Sequence, residues 1–339
     1  MVSFSKLALA GLMMIGVAAA TTSPVSAQKG IEEPFQAAYV DAMKTKTVAY
    51  VPLAMGADLT EGWWAGLKAE LEPLGVTMEI RDPNWSTSAG AQAITSLISS
   101  KPDLMVVHNA DVSTYARLLK RAEEAGIYVL QINMGSAYQS SSFVGANYVE
   151  IGEKATDAVI DACQGKSNKI AIIQGSLSAA ASAYQLKGVE NVLANHPEIE
   201  VVSSQPADWD AAKAKAITQT VLQQHPDICG IVGFWDGMDL GTAAAVKEAG
   251  LEDEIFVVTS GGGETHAACD MVESGGFDLN LSFSVPNQAA QLAGAAKWLL
   301  SSGVKPGTVK GLEYTTLVPI TKENAGLAST CWNLADIKK

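Results

Sequence analysis

The side chains with chemical potential in this chain recur at intervals. They are Asp58, the run Asp82-Pro83-Asn84-Trp85, His108-Asn109 with Asp111, Asn133, Trp209, Trp235-Asp236, the triple glycine Gly261-Gly262-Gly263 with Glu264, and Ser284. This mixture suits a polyhydroxylated ligand, which presents hydroxyls around its rim and C–H groups on its faces. Such a molecule is held by side chains that donate and accept hydrogen bonds and by flat aromatic rings. Asp236, Asn133 and Asn109 fit the rim, while Trp209, Trp235 and Trp85 fit the faces. Trp63 reads differently, because Trp63, Leu67, Leu71 and Leu74 repeat at helical spacing on one face, the pattern of a core. Trp64 lies between that core and a cleft rim. Asp58 admits two readings, a cap for a helix beginning near residue 60 or a ligand contact. Glu264 reads as a cap for a helix after the glycines.

No complete catalytic constellation accompanies these residues. His196 and His225 each precede proline in loops, and His108 with Asp111 is the one candidate acid–base pair. The triple glycine lacks the lysine of a phosphate-binding loop and the spacing of a dinucleotide fingerprint. His266 with Cys269 would make half a metal site, and no second pair at ligand spacing completes it. The expectation is a binding protein without catalysis, cofactor or metal.

Charge narrows the ligand. The formal net charge of −13 leaves no basic footprint for nucleic acid. Arginine, the usual planar fork for carboxylate and phosphate, occurs only at Arg81, Arg117 and Arg121. A neutral small sugar or polyol follows as the preferred ligand. An amino sugar is the alternative, because Asp58, Asp236 and Glu264 offer acidic partners.

The elements that must position these residues alternate along the chain. Apolar Val/Ile-rich runs at 48–53, 76–80, 104–107 and 127–132 alternate with amphipathic stretches at 60–74, 89–99 and 114–125. A second series has strands at 169–174, 200–203, 231–234 and 255–258 and helices at 149–162, 181–194 and 211–223. Strands that are apolar throughout, each followed by a helix, indicate a parallel sheet covered on both faces. Two such series predict an α/β protein of two doubly wound lobes, and ligands of open α/β sheets bind beyond the carboxyl ends of the strands. The singled-out residues fall at those ends.

The first 27 residues read as a secretory leader: Lys6, an apolar run over 7–20, and Val25-Ser26-Ala27 before a cleavage after Ala27. A periplasmic location follows from that reading. Four cysteines in an exported chain suggest two disulfides with three possible connectivities. Cys163 and Cys229 each precede a strand-like run and would meet if those strands are neighbours. Cys269 would then pair with Cys331 and fasten the C-terminal tail.

Several segments together resemble the type I periplasmic sugar-binding proteins, the family of ribose-binding protein. They are Ser204-Gln205-Pro206-Ala207-Asp208-Trp209-Asp210, His225-Pro226-Asp227, Gln174-Gly175, Asp236-Gly237-Met238 with Gly241, and Val285-Pro286. The resemblance spans nearly all of the chain after the leader. It implies two lobes joined by a three-strand hinge, residues 28–146 plus 284–314 in one and 147–283 plus 315–339 in the other, closing on ligand. It implies a monomeric receptor for an ABC permease in the membrane, or a sensor component feeding a chemoreceptor or kinase. Carried over position by position, ligand contacts fall on Asp58, His108 or Asn109, Asn133, Gln185, Trp209, Trp235, Asp236, Gly261 and Ser284. The chain departs from the ribose pattern at Leu59-Thr60, at Asn133-Met134, near Ala183 or Gln185, and at the triple glycine, which argues against ribose itself.

Overall fold

The computed structural model describes residues 34–337, so the expected leader and its cleavage point lie outside the described residues. The chain opens with α1 (Pro34–Met43) and then builds the first sheet. Strands β1 (Thr47–Val51), β2 (Thr77–Ile80), β3 (Leu104–Val107), β4 (Tyr128–Asn133) and β5 (Ser142–Gly145) alternate with α2 (Asp58–Leu71), α3 (Thr87–Ser100) and α4 (Ala116–Glu124). After α5 (Tyr148–Cys163) the second sheet follows the same plan. Its strands are β6 (Lys169–Gln174), β7 (Glu200–Pro206), β8 (Gly230–Gly233), β9 (Phe256–Gly261) and β10 (Leu279–Ser282), with α6 (Ala180–Leu193), α7 (Ala211–Gln224), α8 (Asp236–Ala249) and the short α9 (Asp270–Glu273) between them. The chain ends with α10 (Val285–Ser301), β11 (Gly311–Tyr314), β12 (Val318–Ile320) and α11 (Leu334–Ile337).

The two six-stranded sheets run β11-β5-β4-β3-β1-β2 and β12-β10-β9-β8-β6-β7. All pairings are parallel except that of β12 with β10. The chain passes between the sheets after β5, after β10, and between β11 and β12. These are the three strands of the hinge in a type I binding-protein fold.

Burial on both faces explains the unbroken apolar strands. In β1, Val48 and Tyr50 join Trp63, Leu67 and Leu71 of α2 in one cluster, while Ala49 and Val51 join Ile94, Leu97 and Leu119 of α3 and α4 in another. Trp63 is fully buried and donates its indole N–H to Gln288 Oε1 at 3.0 Å, so its helical spacing did mark core. Four short strands are absent from the apolar runs: β5 and β10, which interleave serine or asparagine with apolar residues, and β11 and β12. β11 is exposed at every residue and β12 is three residues long, so neither carries an apolar run.

Disulfides join Cys163 to Cys229 and Cys269 to Cys331. The first follows from topology: β6 and β8 are neighbours, which brings the residues before them together. The second anchors the tail beside the turn after β9.

Candidate functional site

The carboxyl ends of both sheets face a cleft that encloses about 530 Å³, part of it open to solvent. Leu53, Trp85, His108 and Asn133 reach it from the first lobe, Trp209, Phe234 and Trp235 from the second, and Tyr148 and Phe283 from the hinge crossings.

Trp85 and Trp209 occupy equivalent places. Each follows the strand at the outer edge of its sheet, β2 in one and β7 in the other, and each immediately precedes a helix N-cap, Ser86 or Asp210. Both have φ of 65°, and the residues before them, Asn84 and Asp208, are also left-handed at 48° and 54°. Such angles cost a non-glycine residue about 1–3 kcal/mol and persist only where surroundings over-determine them. Here the main chain ties each turn to the neighbouring strand's exit, Trp85 N–H to Leu53 O at 2.8 Å and Ala207 N–H to Gln174 O at 2.8 Å. The caps complete the brace: Ser86 Oγ accepts from Ala89 N–H at 3.2 Å and Asp210 Oδ1 from Lys213 N–H at 2.9 Å. Trp209 meets Trp235 edge to face, 6.3 Å between ring centres, making an aromatic corner on the second lobe.

The polar groups on the cavity wall are uncharged. His108 is 2 % exposed, and burial pushes its pKa down to about 3, so the ring is neutral at ordinary pH. Its Nε2 lies 3.5 Å from Asn133 Nδ2, and Asn133 Oδ1 accepts the Tyr148 hydroxyl at 2.7 Å. With the Asn133 amide oriented by Tyr148, Nε2 is the acceptor and Nδ1 carries the proton, an assignment made from the network. Asn133 holds φ of 61°, the left-handed region that asparagine tolerates better than most residues. Burial also raises the Tyr148 hydroxyl well above its ordinary value, which keeps it a donor. His108 does not pair with Asp111, which instead accepts from the amides and hydroxyls of Ser113 and Thr114.

An acidic recess adjoins the cavity, lined by Asp58, Trp235, Asp236, Glu264, His266 and Trp332 among others. Asp236 is 4 % exposed and accepts from Asn280 Nδ2 at 3.1 Å and from Gly237 N–H at 2.8 Å. Burial, against these bonds and with a contribution from Glu264, lifts its carboxyl to about 7. Asp239, fully buried, accepts from the Thr259 hydroxyl at 2.6 Å, the Thr242 hydroxyl at 3.0 Å and Trp235 N–H at 3.2 Å, and burial lifts it to about 7 as well. Gly261 touches the first of these acids, since a Cβ there would lie 1.8 Å from a carboxylate oxygen of Asp236.

The structure sorts the sequence-selected residues into three groups. Trp85, His108, Asn133, Trp209 and Trp235 line the cavity, and Asp58 and Asp236 line the recess. Asn109 stands behind the wall, fully buried, with its amide donating to Gln131 Oε1 and Met134 O. Gln185 is likewise turned inward to Phe234 O and Ser260 Oγ. Gly261 and Ser284 are outside the set of lining residues; Ser284, at φ of 50°, begins α10 at a hinge crossing. Asp58 is not the cap of α2. The helix starts at Asp58 itself, with Ala57 as an N-cap that has no side-chain bond. Glu264 does cap, accepting from His266 and Ala267 N–H. Trp64 stacks on Tyr50 with Lys68 over its ring, away from the cavity.

Tyr148, Phe234 and Phe283 were missed, although each sits within three residues of a strand's end. Phe234 reads as the last residue of an apolar strand, and Tyr148 and Phe283 follow the short strands β5 and β10, which carry no unbroken apolar run to mark their ends. Asp239 carried a fainter signal, an acid three residues into a helix whose neighbours are buried. Among the described residues, no group of three His, Cys, Asp or Glu side chains is placed to hold a metal. None of the described helices is long and apolar enough to cross a membrane.

Residues 48–303 match a family described as "Periplasmic binding protein domain". Among curated relatives, the D-allose-binding periplasmic protein of Escherichia coli is 27% identical over 73% of this chain and 81% of its own length. The xylitol-binding protein of Mycolicibacterium smegmatis is 26% identical over 84% of this chain and 79% of its own. Among solved structures, an ABC transporter solute binding protein from Agrobacterium vitis with bound D-fucose superposes with a TM-score of 0.76 at 19% identity, covering 84% of this chain and 98% of that one. A Mycobacterium smegmatis structure in complex with β-D-fucofuranose gives 0.75 at 20% identity, over 86% and 97%. At these identities the superpositions establish the fold.

Proposed function

Given that the chain belongs to the periplasmic binding protein domain family, we propose that it is the extracytoplasmic receptor of an ABC importer and captures a small neutral sugar or polyol between its lobes. The observation that carries this reading is the composition of the cavity wall. Three tryptophans supply faces for C–H groups, while neutral His108 and Asn133 supply hydrogen-bonding atoms, and no lysine, arginine, aspartate or glutamate lines it. An anionic ligand would meet no fork there. The relatives named for D-allose and xylitol, a sugar and a polyol, support the same ligand class.

Ligand joins the two lobes, since Trp85 and Asn133 belong to one and Trp209 and Trp235 to the other. Closure by hinge motion withdraws the ligand from water and presents a changed outer surface to the permease. The protein acts as a monomeric carrier and returns its ligand unaltered. The acidic recess favours one variation on the ligand: an ammonium group directed at Asp58, Asp236 and Glu264 would suit an amino sugar.

Thermal unfolding against pentoses, hexoses, short polyols, amino sugars and sugar acids tests the reading. A ligand at 100 times its Kd adds about 2.7 kcal/mol of stability. Stabilisation by a neutral or amino sugar or a polyol is expected, and stabilisation by sugar acids or phosphates alone would overturn it.

A further inference from the structure

The C-terminal tail is tied to the second lobe by the Cys269–Cys331 disulfide, and the next residue is Trp332. Trp332 is 8 % exposed, and its bonds concentrate on the turn after β9. The indole N–H donates to Gly262 O at 2.8 Å and the main-chain N–H to Gly263 O at 3.2 Å. Its carbonyl accepts from Thr265 N–H at 2.9 Å and from the Thr265 hydroxyl at 3.0 Å. The far edge of the ring reaches the first lobe, where a Cβ on Gly62 of α2 would lie 2.7 Å from it, and α11 continues against the same helix.

This turn, Gly262-Gly263, continues directly from Gly261, the last residue of β9 and the glycine that abuts Asp236. Three glycines bring no side chain to fix their own conformation and lose more freedom on ordering than any other residues. What holds them comes from outside: Phe283 N–H on Gly261 O at 2.9 Å, Val285 N–H on Gly262 O at 3.0 Å, and the two donors of Trp332. The first two come from the crossing after β10. Trp332 is fastened to the second lobe by a covalent bond, so its grip stays with the lobe that carries Asp236. Asp236 is otherwise faced by Asn280 from β10, by Gly237 N–H and buried Asp239 on its own helix, by Glu264 beside the turn, and by Asp58 across the recess.

We propose that Trp332, delivered by the disulfide-tethered tail, is a positioning residue of the binding site: it clamps the triple-glycine turn and thereby fixes where the Asp236 carboxylate stands toward ligand. The proposal rests on the cleft being the ligand site. It makes the tail part of that site although Trp332 does not line the main cavity.

The test uses W332A, W332F, which keeps a ring but removes the indole donor, and the double variant Cys269→Ser with Cys331→Ser. Hydrogen exchange of the unliganded protein over residues 261–264 reads the clamp without any ligand. Exchange about tenfold faster in W332A, with W332F between it and wild type, is expected. Calorimetry with the best-stabilising sugar, well below the unfolding midpoint, reads the consequence: about tenfold weaker binding in W332A. The pH midpoint of affinity should also fall, because a looser turn admits water to Asp236. A tryptophan that only stabilised the fold would leave that midpoint in place. Unchanged exchange, or faster exchange with unchanged affinity and midpoint, overturns the proposal. Should wild type bind no member of the panel, the receptor reading fails, and the Asp236 midpoint measured by carbon NMR on unliganded protein decides the clamp: a fall in W332A supports it and constancy overturns it. If W332A does not fold, W332F decides in its place.

Discussion

Trp209 sits in a cradle formed by Gly175, where an added Cβ would fall 2.0 Å from the indole ring. Gly175→Ala therefore evicts the ring from its seat while leaving every ligand-facing side chain chemically intact, and W209A removes the ring altogether. A large aromatic buries ~150–250 Å², of which one face against a sugar is roughly a third. At ~25 cal/mol per Å² that face contributes about 1.5 kcal/mol. The geometric preference of the stack adds about 0.5–1.5 kcal/mol. The total, about 2–3 kcal/mol, corresponds to roughly 30–150-fold in Kd. Both variants should lose that much when titrated calorimetrically with the neutral sugar that best stabilises wild type. Trp85→Ala should lose less, because Trp85 is 53 % exposed and grips less firmly. The reasoning is refuted if Gly175→Ala folds with a native circular dichroism spectrum yet binds within about twofold of wild type.

Two further outcomes follow from the charges. Asp236 and Asp239 are held at about 7 by burial, well above about 3.9 in an unfolded chain. Between those values the folded state binds more protons than the unfolded one, so stability should fall as pH rises from about 4 to 7 and level off above. The loss is on the order of a few kcal/mol for each carboxyl. Asp278, also raised by burial, acts in the same direction. Denaturant titrations at pH 5 and 8 measure the loss, Asp239→Asn should shrink it, and greater stability at pH 8 would contradict the assignment. Because no charged side chain lines the main cavity, affinity for a neutral sugar should change less than about twofold between low and high salt; a steep salt dependence in calorimetry would show that the ligand is ionic.

The architecture was legible because it is written in uninterrupted apolar runs. Residues 104–107 and 169–174 were bounded as found, since strands buried on both faces need apolar side chains throughout. Strands that bury little, β11 and β12, left no such trace. Within the site, strand-end position identified Trp85, His108, Asn133, Trp209 and Trp235, because where a parallel strand ends is a matter of local sequence. Whether a side chain then turns toward the cleft or back into the sheet depends on its neighbours. Asn109 follows His108 by one residue, and the alternation of successive side chains sends it to Gln131 and Met134 instead. Gln185 lies in a helix's second turn, where rotation decides its direction, and it faces Phe234 O. Trp332 was beyond reach altogether: its partners are nearly seventy residues away and are backbone carbonyls, which carry no sequence signature.

The two tryptophans at equivalent strand ends line one cavity from opposite lobes, which bears on the proposed function. Asp82-Pro83-Asn84-Trp85 and Pro206-Ala207-Asp208-Trp209 share little sequence beyond the tryptophan, yet both hold two successive left-handed residues before a capped helix. Strain of this kind is repeated in both halves at the two turns whose rings line the same cavity. A single lobe offers one wall, and water covers the opposite face of any ligand resting on it. On the proposed reading, closure sandwiches the ligand between Trp85 and the Trp209–Trp235 corner, which line one cavity from the two lobes. Under the proposed function, binding energy is released in the same step that changes the outer surface, and that change of shape is what a permease would read to tell a loaded receptor from an empty one.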